Sequence, residues 1–289
     1  MDSTATPEHA GTGPAEVKGP DQTDQEPNQG WFPFRFDLAA EEQFKKLTPR
    51  KAVVILDICN RVGQHLDLYE AGWHYSNGDP YRPYFIEADE TWAKRLCVDV
   101  QTFRDVRYEF GKDITGKSKS SGLAWFTYKP GHGDRNGKHY RTEYYSARFG
   151  RVKKGDGVRC ALIFRSTWGF LLAGLKRRRS PLTHADLAVY AWLAYLWEAY
   201  GGGTGKDSIT LPKDEIEPMT GIAVGRFMRS LTALAKVRVK GRCLFQFNAK
   251  RPAQRWFVEV TDWRPLKGTN RGQPQRIEEN KAIVKRKGE

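Results

Sequence analysis

The stretch Ala88–Phe110 constrains the fold more than any other part of the chain, because apolar residues recur there every three or four positions on both sides of a short break. This spacing is typical of amphipathic helices. It predicts a first helix over Thr91–Leu96, a turn over Cys97–Val100 and a second helix over Gln101–Phe110. The residues predicted to face inward are Trp92, Leu96, Phe103, Val106 and Phe110.

The opposite face of the second helix is polar. Its members are Gln101, Thr102, Arg104, Asp105, Arg107 and Tyr108. Two short helices with one anchored and one polar face make a helix-turn-helix, whose second helix can enter a DNA major groove and present side chains to base edges. An ordinary helical hairpin with a solvated polar face is the alternative interpretation.

The flanking sequence predicts a long helix before this unit and a β-hairpin after it. Thr48 is a suitable N-cap and Pro49 suits the first helical turn, and a short strand follows at 85–86. Leu123–Phe149 contains β-type runs around an Asn-Gly pair at 136–137, which is a strong hairpin signal. Helix, strand, helix-turn-helix and hairpin is the order of a winged helix.

The second half of the chain repeats this order of elements. The predicted elements are a helix opened by Leu182-Thr183 and reaching Tyr200, a strand at Ile209–Leu211, helices at Asp214–Met219 and Ala223–Lys236, and strands at Arg242–Phe247 and Arg255–Val260. A single helical hairpin often arises by chance, whereas the same order of five elements twice in one chain does not. The sequence therefore predicts an α+β fold with two tandem winged-helix domains, each a helix-turn-helix plus a β-hairpin.

Composition places the domain boundaries. Residues 1–30 are acidic, rich in Pro and Gly and without aliphatic periodicity, so we expect a disordered tail. The other predicted parts are a first winged-helix domain at 31–150, a linker with a basic run at 151–181, a second winged-helix domain at 182–263 and a disordered basic tail at 264–289. The helix 183–200 is apolar on two sides, which indicates burial between layers or, alternatively, a partner interface.

Charge and cysteine usage restrict the function. The formal net charge is +14 and the acidic tail makes the rest of the chain more basic still, which favours an acidic partner, with nucleic acid as the first candidate. Four cysteines stand far apart without a CxxC pair, so we expect free thiols in a reducing cytoplasm. Without a run of about 18 apolar residues, the sequence predicts no membrane span.

The side chains predicted to touch DNA fall into two sets. The candidates for reading bases are Gln101, Thr102, Arg104 and Arg107 in the first domain and Arg226, Arg229 and Ser230 in the second. The candidates for contacting the backbone are Lys129, Arg135, Lys138, Arg141, Lys176, Arg177, Arg178, Arg179, Lys250, Arg251 and Arg255. A guanidinium can bridge guanine O6 and N7, while basic wing tips suit phosphates. In the alternative interpretation these residues only solvate an exposed helix face, polar turns and a linker.

Two motifs point weakly to catalysis. Gly201–Lys206 looks like a phosphate loop, but it lacks the required upstream Gly and the Ser or Thr after Lys, and it follows a helix. His132 and His139 lie near tyrosines at 144–145, as in metal-dependent nicking enzymes, yet six residues and a turn separate the two histidines. No zinc spacing, paired carboxylate or catalytic triad stands out. We therefore predict a binding protein that is not an enzyme and needs no cofactor or metal.

The tandem arrangement resembles the replication initiator proteins of iteron-type plasmids. The resemblance covers residues 31–263 and rests on Leu47-Thr48 and Leu182-Thr183 opening the lead helices, on the two helix-turn-helix units and on the two hairpins. It implies that the second domain is the main reader of a repeated DNA site, with Arg226 and Arg229 as base readers. It also implies that the first domain contributes to dimerisation and to DNA contact.

The sequence thus predicts a sequence-specific double-stranded DNA-binding protein, with a plasmid or mobile-element replication initiator as the expected role. Both second helices are expected to read successive turns of one duplex face, about 34 Å apart. The alternative is a protein- or RNA-binding subunit of a larger mobile-element or defence complex. Expected partners are duplex DNA and either a second copy of the chain or other proteins of such a complex.

Overall fold

The computed structural model describes residues 31–74, 78–116, 123–131, 141–152, 157–177, 181–200, 208–239, 242–244, 246–248 and 255–259. Within these ranges the fold is mixed α+β, with helices packed on small sheets. The two predicted tails and the predicted hairpin turns at 132–140 and 249–254 lie outside the described residues.

The described helices include six in the predicted order and three, at 36–40, 42–45 and 165–174, that were not predicted. They are α1 (Phe36–Ala40), α2 (Glu42–Lys45), α3 (Pro49–Glu70), α4 (Asp89–Leu96), α5 (Val100–Phe110), α6 (Arg165–Gly174), α7 (His184–Ala199), α8 (Lys213–Thr220) and α9 (Val224–Ala235). The strands are β1 (Trp31–Arg35), β2 (Phe85–Ala88), β3 (Gly111–Asp113), β4 (Phe126–Lys129), β5 (Arg141–Ala147), β6 (Cys160–Phe164), β7 (Ser208–Pro212), β8 (Arg238–Val239), β9 (Arg242–Cys243), β10 (Gln246–Asn248) and β11 (Arg255–Glu259).

Capping residues explain where these helices begin and end. The Thr48 side chain accepts a hydrogen bond from the Lys51 amide at 3.4 Å, which confirms the predicted N-cap of α3. Thr183 and Asp186 close a reciprocal capping box at the start of α7. Cys97 takes a left-handed conformation with φ 53° and so ends α4.

The two halves share one strand arrangement. In the first half the sheet order is β2-β5-β4-β3, and in the second it is β10-β11-β7. In each half the strand before the paired helices, β2 or β7, is hydrogen-bonded antiparallel to the last strand of the hairpin, β5 or β11. The repeat of element order predicted from sequence is therefore present in strand pairing too.

Residues 157–177, the main described part of the segment predicted as a linker, contribute to the core. Strand β6 pairs antiparallel with β1, with Phe32 opposite Ile163, and α6 buries Trp168 completely. The Trp168 indole donates to Asp57 Oδ1 on α3 at 3.0 Å, and Trp92 of α4 donates to Oδ2 at 2.7 Å. The linker prediction was wrong because the apolar alternation of this strand is satisfied only by a partner far away in the chain.

One continuous core joins both halves, with α3 and α7 in contact at its centre. Eleven of the sixteen residues of α7 are buried. Burial of this helix between layers is thus confirmed, and its two apolar sides are covered by the chain itself. The alternative of a partner interface on α7 is wrong for that reason.

The two halves also contact each other at two places near the lead helices α3 and α7. The His184 ring at the first position of α7 lies 2.8 Å from the Leu96 carbonyl oxygen at the end of α4. On the other side, Gly221 at the end of α8, with φ 68°, approaches Lys45 so closely that an added Cβ would lie 2.0 Å from the carbonyl oxygen. The helix pairs α4–α5 and α8–α9 therefore both pack against one shared core.

Candidate nucleic-acid interface

Helix α9 is anchored by one face and presents two arginines on the other. Phe227, Leu231 and Leu234 are fully buried, whereas Arg226 and Arg229 are exposed. The helix contains no acidic residue. Its outward face therefore carries positive charge with nothing on the helix itself to neutralise it.

Two open clefts of about 620 and 650 Å³ flank these arginines, and Arg226 and Arg229 line both of them. The opposite walls begin at Thr48 of α3 and at Thr183 of α7. Both helices are long, so their N-terminal ends carry partial positive charge and favour anions such as phosphate. The clefts thus combine a guanidinium pair with two helix N-termini.

Residues that sequence analysis did not select complete this surface. Lys46 and Arg50 are exposed on the cleft walls, and His184 lines the second cleft with its pKa lowered, chiefly by burial. The acids Glu217 and Asp186 also contribute to the walls. Only the packing of α3 against the second half brings these side chains together. Local sequence patterns therefore do not predict that they share one surface.

The matching positions on α5 are chemically different. Because Val100 starts α5 as Val224 starts α9, Thr102 and Asp105 correspond to Arg226 and Arg229. Thr102 donates its hydroxyl to Asp99, and Gln101 donates to Asp105 at 2.7 Å.

An ion pair also neutralises an acidic residue of α5. The exposed Glu109 on this helix is paired with Lys51 at 2.6 Å. No residue of α5 lines either cleft among the described residues. The prediction of a cationic, base-reading face on both second helices is therefore wrong for α5.

Arg107 was predicted to read bases and is instead a core residue, 4% exposed. Its guanidinium donates to the buried carboxylate of Asp89 and to the Thr142 hydroxyl, and it lies 5.3 Å from the Tyr128 ring centroid. Burial lowers the pKa of Arg107, but Tyr144 and Asp89 more than offset this effect and raise the pKa above its usual range. Arg104 is half-buried and is paired with Asp89 at 3.1 Å and with Glu90 at 2.9 Å.

Ser230 was also predicted to face outward and is 3% exposed. Sequence spacing contained the signal for both corrections. Arg107 follows Phe103 by four positions, and Ser230 precedes Leu234 by four, so each shares a face with a buried apolar residue. Neither side chain is placed to reach a base edge.

The predicted backbone-contacting residues are dispersed. Arg141 is exposed, Lys129 is paired with Glu143 at 3.4 Å, Lys176 is exposed, and Arg177 lies 4.6 Å from the Phe170 ring centroid. The structure does not bring these four into the clefts beside α9. The other members have no described side chain: Arg135, Lys138, Arg178, Arg179, Lys250, Arg251 and Arg255.

The weak catalytic motifs gain no support in the described part of the chain. Tyr144 is fully buried, and both histidines at 132 and 139, like the glycine-rich loop at 201–206, lie outside the described residues. Over the described ranges, no group of three His, Cys, Asp or Glu side chains could hold a metal ion. Of the helices in these ranges, none has the length and apolar character needed to cross a bilayer.

Comparison with known proteins does not assign the chain to a family. No protein-family model, curated protein or solved structure matches the chain significantly.

Proposed function

We propose that the chain is a sequence-specific double-stranded DNA-binding protein made of two winged-helix units, in which α9 reads the major groove. The observation that carries the proposal is the exposed pair Arg226 and Arg229 on an anchored helix without acids. Two arginines one helical turn apart can each form a bidentate contact with guanine.

The surroundings of α9 suit the sugar–phosphate backbone. Lys46 and Arg50 stand on the walls of the flanking clefts, next to the N-terminal ends of α3 and α7. Contacts of this kind fix the register of a protein on a duplex without reading sequence. The order and pairing of strands in both halves further support winged-helix units.

The process proposed for this DNA binding is initiation of replication on a plasmid or another mobile element. It is supported by the resemblance in element order to iteron-type initiators. In this proposal the second half reads the bases and the first half does not, because α9 carries the arginine pair whereas the corresponding positions of α5 are Thr102 and Asp105.

A second candidate function follows from the exposed face of α5. Asp105 and Glu109 lie there beside Tyr108, which is 44% exposed. An acidic face with an exposed aromatic ring repels phosphate and suits a basic protein surface. This face fits a protein partner in a nucleoprotein complex, with duplex DNA held by the other half.

The test is selection of bound duplexes from a random pool, followed by affinity measurements on the selected site and on random DNA. Arg229→Ala is expected to weaken binding to the selected site by about 1–3 kcal/mol, roughly 5- to 150-fold, and to weaken random DNA far less. Asp105→Ala at the matching position of α5 is the control and should leave the preference unchanged. Absence of any selected sequence, or an equal loss of both affinities in Arg229→Ala, would overturn the proposal.

A further inference from the structure

The outer face of the four-stranded sheet carries an aromatic pair that the duplex-binding surface does not use. Tyr84, just before β2, and Tyr145 on β5 have ring centroids 5.4 Å apart. Along β5 the neighbours Thr142 and Tyr144 point inward and are buried, while Glu143 and Tyr145 are only half-buried. The two tyrosines therefore lie on the side of the sheet turned away from the core.

Positive charge surrounds the pair. We call the surface formed by Tyr84, Tyr145, Arg82, Lys112, Lys129 and Arg141 the tyrosine face. Strand alternation puts Lys112 and Lys129 on this side, because their neighbours Asp113 and Tyr128 are buried, and Arg141 is exposed at the start of β5.

Within the described strands of this four-stranded sheet, Glu143 is the one acid at an outward position. It is bound by both the Lys129 ammonium at 3.4 Å and the Tyr145 hydroxyl. The net charge of the tyrosine face is therefore positive.

The tyrosines are held in fixed orientations. Arg82 donates to the Tyr84 hydroxyl at 3.2 Å, and Tyr145 donates to Glu143. Each hydroxyl is thereby bound to a neighbouring side chain, which restrains the ring, and the Arg82 guanidinium also lies 5.9 Å from the Tyr84 ring centroid. Ordering two rings in advance reduces the entropy lost when a flat ligand stacks on them.

We propose that the tyrosine face binds single-stranded nucleic acid. Unstacked bases have two free π-faces that stack on aromatic side chains, and lysines and arginines beside them follow the phosphates. A duplex offers no such free faces, because its bases are stacked on one another. The single strand thus occupies a surface distinct from the clefts beside α9, and its binding does not depend on duplex recognition.

The test is fluorescence anisotropy of a labelled oligothymidine about 12 nucleotides long, within the usual footprint of such surfaces, with the full-length protein. Tyr84→Leu and Tyr145→Leu are each expected to raise Kd about 5- to 150-fold. Tyr69→Leu and Tyr108→Leu remove tyrosines that are 41% and 44% exposed elsewhere, and should leave Kd unchanged.

Two further variants separate stacking from structure. Tyr145→Phe keeps the ring and loses only the hydrogen bond that orients it, so its Kd should rise less than that of Tyr145→Leu. Lys112→Ala should lower the slope of log K against log salt concentration by about 0.7. Arg229→Ala should leave oligothymidine binding intact, so that failure here and failure of duplex recognition are told apart. Unchanged Kd in folded Tyr84→Leu and Tyr145→Leu, an equal loss in the Tyr69 and Tyr108 controls, an unchanged salt slope in Lys112→Ala, or binding only of a protein partner would overturn the proposal.

Discussion

Asp57 is a buried acceptor shared by two elements of the fold, and its removal should strongly destabilise the protein. It is 1% exposed on α3 and accepts hydrogen bonds from the indoles of Trp92 and Trp168 and from the guanidinium of Arg95. It therefore joins α4 to α6 through α3. In Asp57→Ala the two buried indole N–H groups and the guanidinium lose their common acceptor.

The expected loss of unfolding free energy follows from the hydrogen-bond donors that Asp57→Ala leaves without an acceptor. A buried donor left unsatisfied costs about 1–3 kcal/mol, and breaking a buried ion pair costs about 3–5 kcal/mol. Because Arg95 is a quarter exposed and can be hydrated, we expect Asp57→Ala to lose roughly 3–5 kcal/mol of unfolding free energy. For a protein of this size this lowers Tm by about 6–20 °C.

Urea denaturation followed by tryptophan fluorescence measures the change, with the slope m checked for constancy. Asp67→Ala is the matched control on the same helix, because Asp67 is exposed and its bond to Arg151 lies at the surface. Such a pair contributes at most about 1 kcal/mol. A loss below 1 kcal/mol in Asp57→Ala, or an equal loss in both variants, would refute the proposed role of Asp57.

Three further predictions concern stability. Arg107→Met should lower the free energy of unfolding by roughly 3–5 kcal/mol, because the carboxylate of Asp89 loses its buried cation and keeps only the partly exposed Arg104. An unchanged urea midpoint would show that Arg107 has a surface role. Gly221→Ala should destabilise by at least about 1–3 kcal/mol through its positive φ and the close carbonyl, whereas Gly225→Ala, which has open space, should be neutral or stabilising in thermal melts. Burial lowers the pKa of His184 below its usual 6.5, so its contribution to the free energy of unfolding is present above pH 6.5 and is lost as the pH falls below that value. His184→Gln should make the free energy of unfolding less dependent on pH in this range. Identical pH profiles of the two proteins would contradict this role of His184.

Local pattern was sufficient for six of the described helices, α3–α5 and α7–α9, and for their order, but not for α1, α2 and α6. The starts of α3 and α7 follow from Thr48 and Thr183, because N-capping depends on residues only a few positions apart. The break between α4 and α5 follows from apolar spacing alone. These features involve interactions within one or two turns, which a sequence displays directly.

Long-range pairing accounts for what was missed. The partner of β1 is β6, and nothing near Trp31–Arg35 in the sequence identifies it. The burial of Arg107 depends on Asp89 and Thr142, which come from two other elements. Arg226 and Arg229 were found because an arginine pair is visible locally, whereas Lys46 reaches the same clefts only through tertiary packing.

The central proposal is that α9, and not α5, reads the duplex, and photo-cross-linking tests it most directly. A benzophenone amino acid is placed at position 229 or at position 105, and each protein is irradiated on its selected DNA site. Adducts to bases are expected from position 229 and not from position 105. Adducts from position 105 alone, or none from position 229 while the DNA stays bound, would contradict the proposal.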